Sequence, residues 1–189
     1  MSPAAAVAWR AFPWDPAARP GARWSPTYVP PVQGQGRFDL PGTPGGVLYL
    51  AESPDHAAGE RIQAFRGQRL EAAELTVEGK SLAVVPFDLP EALRSDLVDL
   101  CDPATLARLD LGPDRIAARD RGVTHGIAAR LHAEGAPGFR WWSAFFGEWH
   151  SIIVFRDRME DPLEPGEPEA LALDHPAVVE AARALGVGL

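Results

Sequence analysis

Apolar residues along this chain come in short runs broken by proline, glycine and charge, a pattern that predicts several strands and short helices. Residues 6–12, with Trp9 and Arg10 alternating, predict a first strand ended by Pro13. From Pro13 to Pro44 eight prolines and several glycines interrupt the pattern. That stretch predicts a long irregular loop, of the kind that borders or covers a site. Residues 47–51 predict a short central strand. Ser53 then caps a helix that has Pro54 at its first position and runs past Ala57 and Glu60 to Gly67.

Residues 70–77 and 81–85 predict two strands joined by a tight turn at Glu78-Gly79-Lys80. Residues 88–94 predict a short helix, 97–100 a short strand, and 102–109 a helix capped by Asp102 with Pro103 at its start. The longest helical periodicity covers 120–133, with Val123, Ile127, Ala128 and Leu131 on one side. Residues 139–142 and 151–155 predict the last strands, turned at Gly147-Glu148-Trp149. Residues 157–169 hold six acids and three prolines and predict a surface tail. A short amphipathic helix at 176–185 follows, suited to closing over the domain or covering a partner's surface. Strands are too many for a bundle and short helices interrupt them, so the expected class is α+β. The expected division is one domain over 7–156 and an acidic, proline-containing tail over 157–189.

Composition narrows the function. A chain of 189 residues with 46% apolar content has room for one real core. A net charge of -8 argues against direct binding to nucleic acid or to an anionic membrane. The basic residues are 17 arginines and the single Lys80, so a phosphorylated ligand would meet rigid guanidinium forks; genome composition produces the same bias. Cys101 is the only cysteine, which excludes an intrachain disulfide and a thiolate metal cluster, and it reads as a packed core thiol. His125 and His132 share a helix face but lack a third ligand, so no metal site is expected. No charged leader or long apolar segment opens the chain, and a cytoplasmic protein is the simplest account.

The candidate chemistry lies in Arg37, Tyr49, Glu60 and Ser143. A guanidinium, a phenol and a carboxylate drawn from consecutive elements can clamp an anionic substrate and stabilise a developing cation. Those are the needs of reactions at a nucleotide's glycosidic bond. The phosphate-loop and dinucleotide-fold glycine motifs are absent.

These segments resemble the RES-domain family, which is named for an arginine, a glutamate and a serine. Trp9-Arg10 is similar to its opening arginine motif, and Gly36-Arg37-Phe38-Asp39 with Pro41-Gly42 to its glycine-arginine-aromatic segment. Tyr49-Leu50-Ala51-Glu52-Ser53-Pro54 with Ala57, Ala58 and Glu60 resembles its tyrosine strand and glutamate helix. Gly138-Phe139-Arg140-Trp141-Trp142-Ser143 resembles its serine segment, and Ile153-Val154-Phe155 its closing strand. The likeness spans residues 7–156. Ala11 stands where the family often has tyrosine, and Tyr28 in the long loop is the alternative ring.

The resemblance implies a fold like the ADP-ribosyltransferases: a mixed, strongly bent β core with short peripheral helices and NAD in a cleft. It further implies cleavage of the nicotinamide–ribose bond of NAD by phosphate or water. NAD would be the substrate, inorganic phosphate a potential co-substrate, and no cofactor would be held. The family usually supplies the toxin of a toxin–antitoxin pair, so an antitoxin partner is implied, and homo-oligomerisation is left open. ADP-ribosyl transfer and a catalytically silent nucleotide- or protein-binding module remain as alternatives.

In that frame Arg10 and Arg37 would fork the phosphates of the dinucleotide. The plainer readings are a solvent-facing strand arginine for Arg10 and a salt bridge to Asp39 for Arg37. Tyr49 would stack under nicotinamide or touch the ribose, against the plainer reading of a core aromatic. Glu60 would accept ribose hydroxyls and favour the oxocarbenium-like state, against a surface pair with Arg61 or Arg66. Ser143 lacks the surroundings of a nucleophile and would hydrogen-bond a substrate phosphate or amide. Aromatics at 141, 142, 145, 146 and 149 would wall the pocket or fill the core. His56 sits near the start of the glutamate helix, within reach of the same cleft, although packing is its plainer reading.

Overall fold

The computed structural model describes residues 4–143 and 146–189. Its centre is a sheet built from β1 (Val7–Pro13), β2 (Val47–Ala51), β3 (Thr76–Val77), β4 (Lys80–Asp88), β5 (Val98–Asp99), β6 (Gly138–Trp142), β7 (His150–Phe155) and β8 (Glu169–Ala170). The strand order is β3-β4-β1-β2-β7-β6-β5, with β8 paired to β4. All pairings are antiparallel except β5 with β6, so the sheet is mixed. Six short helices surround it among the described residues: α1 (Pro54–Ile62), α2 (Glu91–Asp96), α3 (Pro103–Arg108), α4 (Pro113–Ile116), α5 (Arg121–Ala133) and α6 (Pro176–Leu185). The α+β class expected from the pattern is the class observed.

Alternation sets the two faces of the sheet. On β2, Leu48 and Leu50 join a cluster with Ala8, Phe12, Val85, Phe87 and Ile152, whereas Tyr49 points to the other side, against Phe38, Phe139, Trp141 and Phe155. On β4, Leu82 and Val84 pack with α1 and α6 through Ala57, Ile62, Val178, Ala181 and Leu185. The side bearing α1 and α6 and the side bearing α3 and α5 are thus two adjacent cores on one face. The gap between them is where the cleft forms.

Local chemistry explains the element ends. The Ser53 hydroxyl accepts the His56 N–H at 3.2 Å and starts α1, and Asp102 accepts the Thr105 N–H at 2.9 Å at the start of α3. Asp120 likewise accepts from Gly122 at 2.8 Å ahead of α5. The turn between β3 and β4 puts Glu78 and Gly79 at φ of 50° and 76°, the paired left-handed conformation of a tight hairpin turn. Gly186 closes α6 at φ 69°.

Two expectations fail locally, and two short elements go beyond them. Residues 70–77 do not form one strand: Ala72–Leu75 is a 3₁₀ turn, and only Thr76–Val77 pairs with β4. The side chains of Glu71 and Glu74 close a reciprocal capping box there, and the two alanines between them offer little to a pleated surface. Asp88 ends β4 instead of starting a helix, because Pro90 delays the helix to Glu91. The short α4 and β8 carry too few residues to show a period and were not anticipated.

Residues beyond β7 are laid against the sheet. Leu163, Leu171 and Val187 are buried, and α6 packs along α1. At the opposite edge, Arg140 on β6 donates to Glu52 at 2.7 and 3.1 Å and reaches Asp99 on β5 at 3.4 Å. Burial alone would lower the Arg140 pKa, but the bond and charge of Glu52 outweigh it and the net shift is upward. Among the described residues no helix is long and apolar enough to cross a membrane.

Candidate active site

A cleft of about 500 Å³ opens between the two cores. Arg10, Arg37, Tyr49, Glu60 and Ser143, singled out from five separate segments, all line it. Its volume is that of a small-molecule site. Trp9, Trp141, His56, Arg61, Arg121 and Ser151 complete the functional part of the lining.

Arg37 is presented by a rigid loop. Asp39, almost fully buried, accepts the N–H groups of Gly34 and Gly36 at 2.6 and 2.8 Å and the Tyr49 hydroxyl at 2.8 Å. The same hydroxyl accepts the Phe38 N–H at 2.9 Å. Any side chain at 36 would collide here, since a Cβ would lie 2.4 Å from the Asp39 carboxylate and 2.6 Å from the Tyr49 oxygen. From the other side α5 pins the loop: the Thr124 hydroxyl donates to the Arg37 carbonyl, and His125 Nε2 meets the Gly36 carbonyl at 2.9 Å. The Arg37 guanidinium itself donates to the Ala118 carbonyl at 2.9 Å. The salt bridge to Asp39 is therefore replaced by a backbone anchor. Burial and the nearby Arg121 lower the Arg37 pKa, partly offset by the charge of Glu60.

Tyr49 lines the cleft with its ring while its hydroxyl is engaged with the loop. Burial, then the Asp39 charge and bond, push its pKa far upward, so it stays a neutral phenol. Arg10 donates to the Pro26 carbonyl and, at 2.7 Å, to that of Tyr28, tying the long loop to β1. Tyr28 thus meets Arg10 through its backbone and contributes no ring to the cleft lining, where Trp9 does. Burial and the like charges of Arg61 and Arg156 pull the Arg10 pKa down to about 10, which leaves it charged at neutral pH.

Glu60 projects from the last turn of α1 with its side chain 41% exposed on the cleft side. Its carboxylate lies 3.2 Å from His56 Nε2 and accepts from Gln63 at 3.0 Å. His56 is fully buried one turn earlier, with Nδ1 3.1 Å from the His150 carbonyl and Nε2 3.5 Å from the Ser151 hydroxyl. Trp149 stacks on the imidazole at 5.1 Å and 18°, and its indole donates to Asp55 at 3.0 Å. The indole can lie this close to α1 only because residue 59 is glycine, where a Cβ would come within 2.5 Å of the ring. Ser143 is buried at the end of β6, and its N–H donates to the Trp149 carbonyl at 2.6 Å.

Of the aromatics expected as walls, Trp141 lines the cleft and Trp149 backs His56, while Phe145 lies outside the described residues. His132 packs against Phe155 and pairs with Asp157 at 2.8 Å. Sequence reasoning gave no role to Ser151 or Arg121, made Arg61 only a surface partner of Glu60, and gave little weight to His56. The signal for His56 was present in its spacing of four from Glu60, which puts both on one helix face. Nothing in the sequence marks Ser151. Among the described residues no group of three His, Cys, Asp or Glu is arranged to hold a metal ion.

No curated protein matches the chain significantly. Among solved structures, the crystal structure of the M. tuberculosis MbcT–MbcA toxin–antitoxin complex contains a chain that aligns with a TM-score of 0.58 at 18% identity, over 95% of this chain and 88% of that one. At that identity the likeness speaks for the fold. The sequence profile of the RES domain matches residues 4–174, and the chain accordingly belongs to the RES domain family.

Proposed function

We propose that this protein is an NAD-degrading enzyme that cleaves the nicotinamide–ribose bond by attack of water or phosphate. One observation carries the reading: four arginines and a single carboxylate face one cleft, beside aromatic rings and a buried serine. Arg37 and Arg10, with Arg61 and Arg121 beside them, suit a pyrophosphate, since guanidinium forks match phosphate oxygens. Trp9, Tyr49 and Trp141 offer faces for planar rings. Glu60 accepts hydroxyls of the nicotinamide-side ribose and, as the glycosidic bond breaks, stabilises the positive charge growing on the ring. The bonding electrons pass to the nicotinamide nitrogen, which leaves neutral. The nucleophile then bonds to the anomeric carbon, and Ser143 orients a phosphate or the departing amide. Such a site stabilises charge that exists only in the transition state.

Unrestrained loss of NAD would harm the producing cell. Family membership and the toxin–antitoxin likeness support a role as a toxin held in check by a partner protein. The test is incubation of the purified chain with NAD, with and without inorganic phosphate, reading products by mass. Nicotinamide with ADP-ribose marks hydrolysis, and nicotinamide with a phosphorylated ADP-ribose marks phosphorolysis. Intact NAD under both conditions would overturn the proposal and favour a silent binding module.

A further inference from the structure

The contacts of His56 impose a constraint on protons. The His150 carbonyl can only accept a hydrogen bond, so Nδ1 of His56, 3.1 Å away, carries a hydrogen. Nε2 faces the Glu60 carboxylate at 3.2 Å. With the proton on Nδ1, a neutral imidazole would turn a lone pair toward a carboxylate. One more proton must sit between the two groups. Its surroundings decide where it resides. The cleft side carries Arg10 from β1 and Arg37, Arg61 and Arg121. On α1 itself Asp55 is engaged by Trp149, and from the β7 side come His150, Glu52 and, behind them, Arg140. α6 and β4 turn apolar residues toward α1. Both ring nitrogens thus face acceptors, the His150 carbonyl and the Glu60 carboxylate, and this geometry places the proton on Nε2.

We propose that His56 is a positioning residue for Glu60, acting as an imidazolium whose Nε2–H aims the carboxylate into the cleft. The inference rests on the NAD-cleavage reading for its kinetic consequence but not for its protonation state. As pH rises and the proton leaves, Nε2 becomes an acceptor. The Ser151 hydroxyl, 3.5 Å away, then donates to it, and Glu60, exposed on its outer side, is left with the Gln63 bond. Activity therefore has a basic limb governed by this pair. Because the two groups are coupled, the limb belongs to the pair and to neither residue alone.

Two measurements test this. In the wild-type chain with ¹⁵N-labelled histidine, both ring nitrogens of His56 should be protonated at neutral pH, and the Glu60→Gln variant should lose that second proton at lower pH than wild type. A bare Nε2 at neutral pH in wild type would overturn the proposal, whatever the enzyme activity. In NAD turnover, His56→Ala should lower kcat about tenfold or more, the scale of a lost bond to a charged group, with KM within about twofold. His56→Gln keeps a donor that does not titrate, so it should recover much of the loss and abolish the basic limb. A basic limb unchanged in His56→Gln would also overturn it. Failure of wild type to consume NAD, with both nitrogens protonated, would defeat the function reading and leave the proton pair standing.

Discussion

The clasp centred on Asp39 offers a direct test of how the arginine loop is held. Asp39→Asn keeps the volume and one acceptor oxygen but removes the charge and turns half of the group into a donor. Three bonds are affected: from Gly34 at 2.6 Å, from Gly36 at 2.8 Å and from the Tyr49 hydroxyl at 2.8 Å. Bonds to a charged group are worth about 1.5–3 kcal/mol against about 1 for neutral ones, so neutralising three loses roughly 2–3 kcal/mol after partial rearrangement. For a chain of this size about 1 kcal/mol moves Tm by ~2–4 °C, which predicts a fall of ~4–12 °C by scanning calorimetry. The same variant should raise KM for NAD more than it lowers kcat, because Arg37 is displaced while Glu60 keeps its own supports. A Tm change below ~2 °C would refute the clasp as what holds the loop.

Glu60→Gln should cut NAD turnover by at least ~100-fold with Tm nearly unchanged, the scale of a lost preorganised charge; more than a third of wild-type turnover would sink its assignment. Arg37→Ala should weaken NAD binding about tenfold or more by calorimetry. Arg10→Ala should do the same and also loosen the 13–44 loop, seen as faster proteolysis there, since Arg10 holds the Pro26 and Tyr28 carbonyls. Cys101, its thiol pushed up to about 12 by burial, should react with iodoacetamide at pH 8 on the order of 1000-fold more slowly in the folded chain than in urea, because only the thiolate reacts. Equal rates would contradict its placement.

Much of the fold was legible because its strands alternate. Leu48 and Leu50 against Tyr49, and Leu82 and Val84 against Ala83 and Val85, sort to opposite faces as a period of two requires. Capping residues marked α1 and α3 for a similarly local reason, and apolar periodicity marked α5. What failed was set by features that mimic another pattern or fall below it. Residues 70–77 carry strand-like apolar spacing, yet the Glu71–Glu74 box bends them into a 3₁₀ turn. The Glu169–Ala170 strand exists only because the chain beyond β7 happens to lie along β4.

The site divides along the same line. Residues whose chemistry is unusual for their setting, a glutamate on a close-packed helix or an arginine following two glycines, could be singled out from sequence, and both line the cleft. Those that act through geometry could not. His56 depends on a carbonyl and an indole more than ninety positions away, at His150 and Trp149, and Trp149 depends in turn on the missing side chain of Gly59. The charge balance follows the same logic. The chain carries -8 overall, so net charge would not draw in an anionic ligand. Positive charge is instead local: Arg10, Arg37, Arg61 and Arg121 line the cleft, where Glu60 is the single acid among the described residues. Burial first, then the like charges of Arg61 and Arg156 on Arg10 and of Arg121 on Arg37, lower the pKa of both arginines. A bound pyrophosphate would relieve the repulsion. On the NAD-cleavage reading, an anionic substrate would offset those like charges, and binding energy so gained would be available to hold the ribose against Glu60.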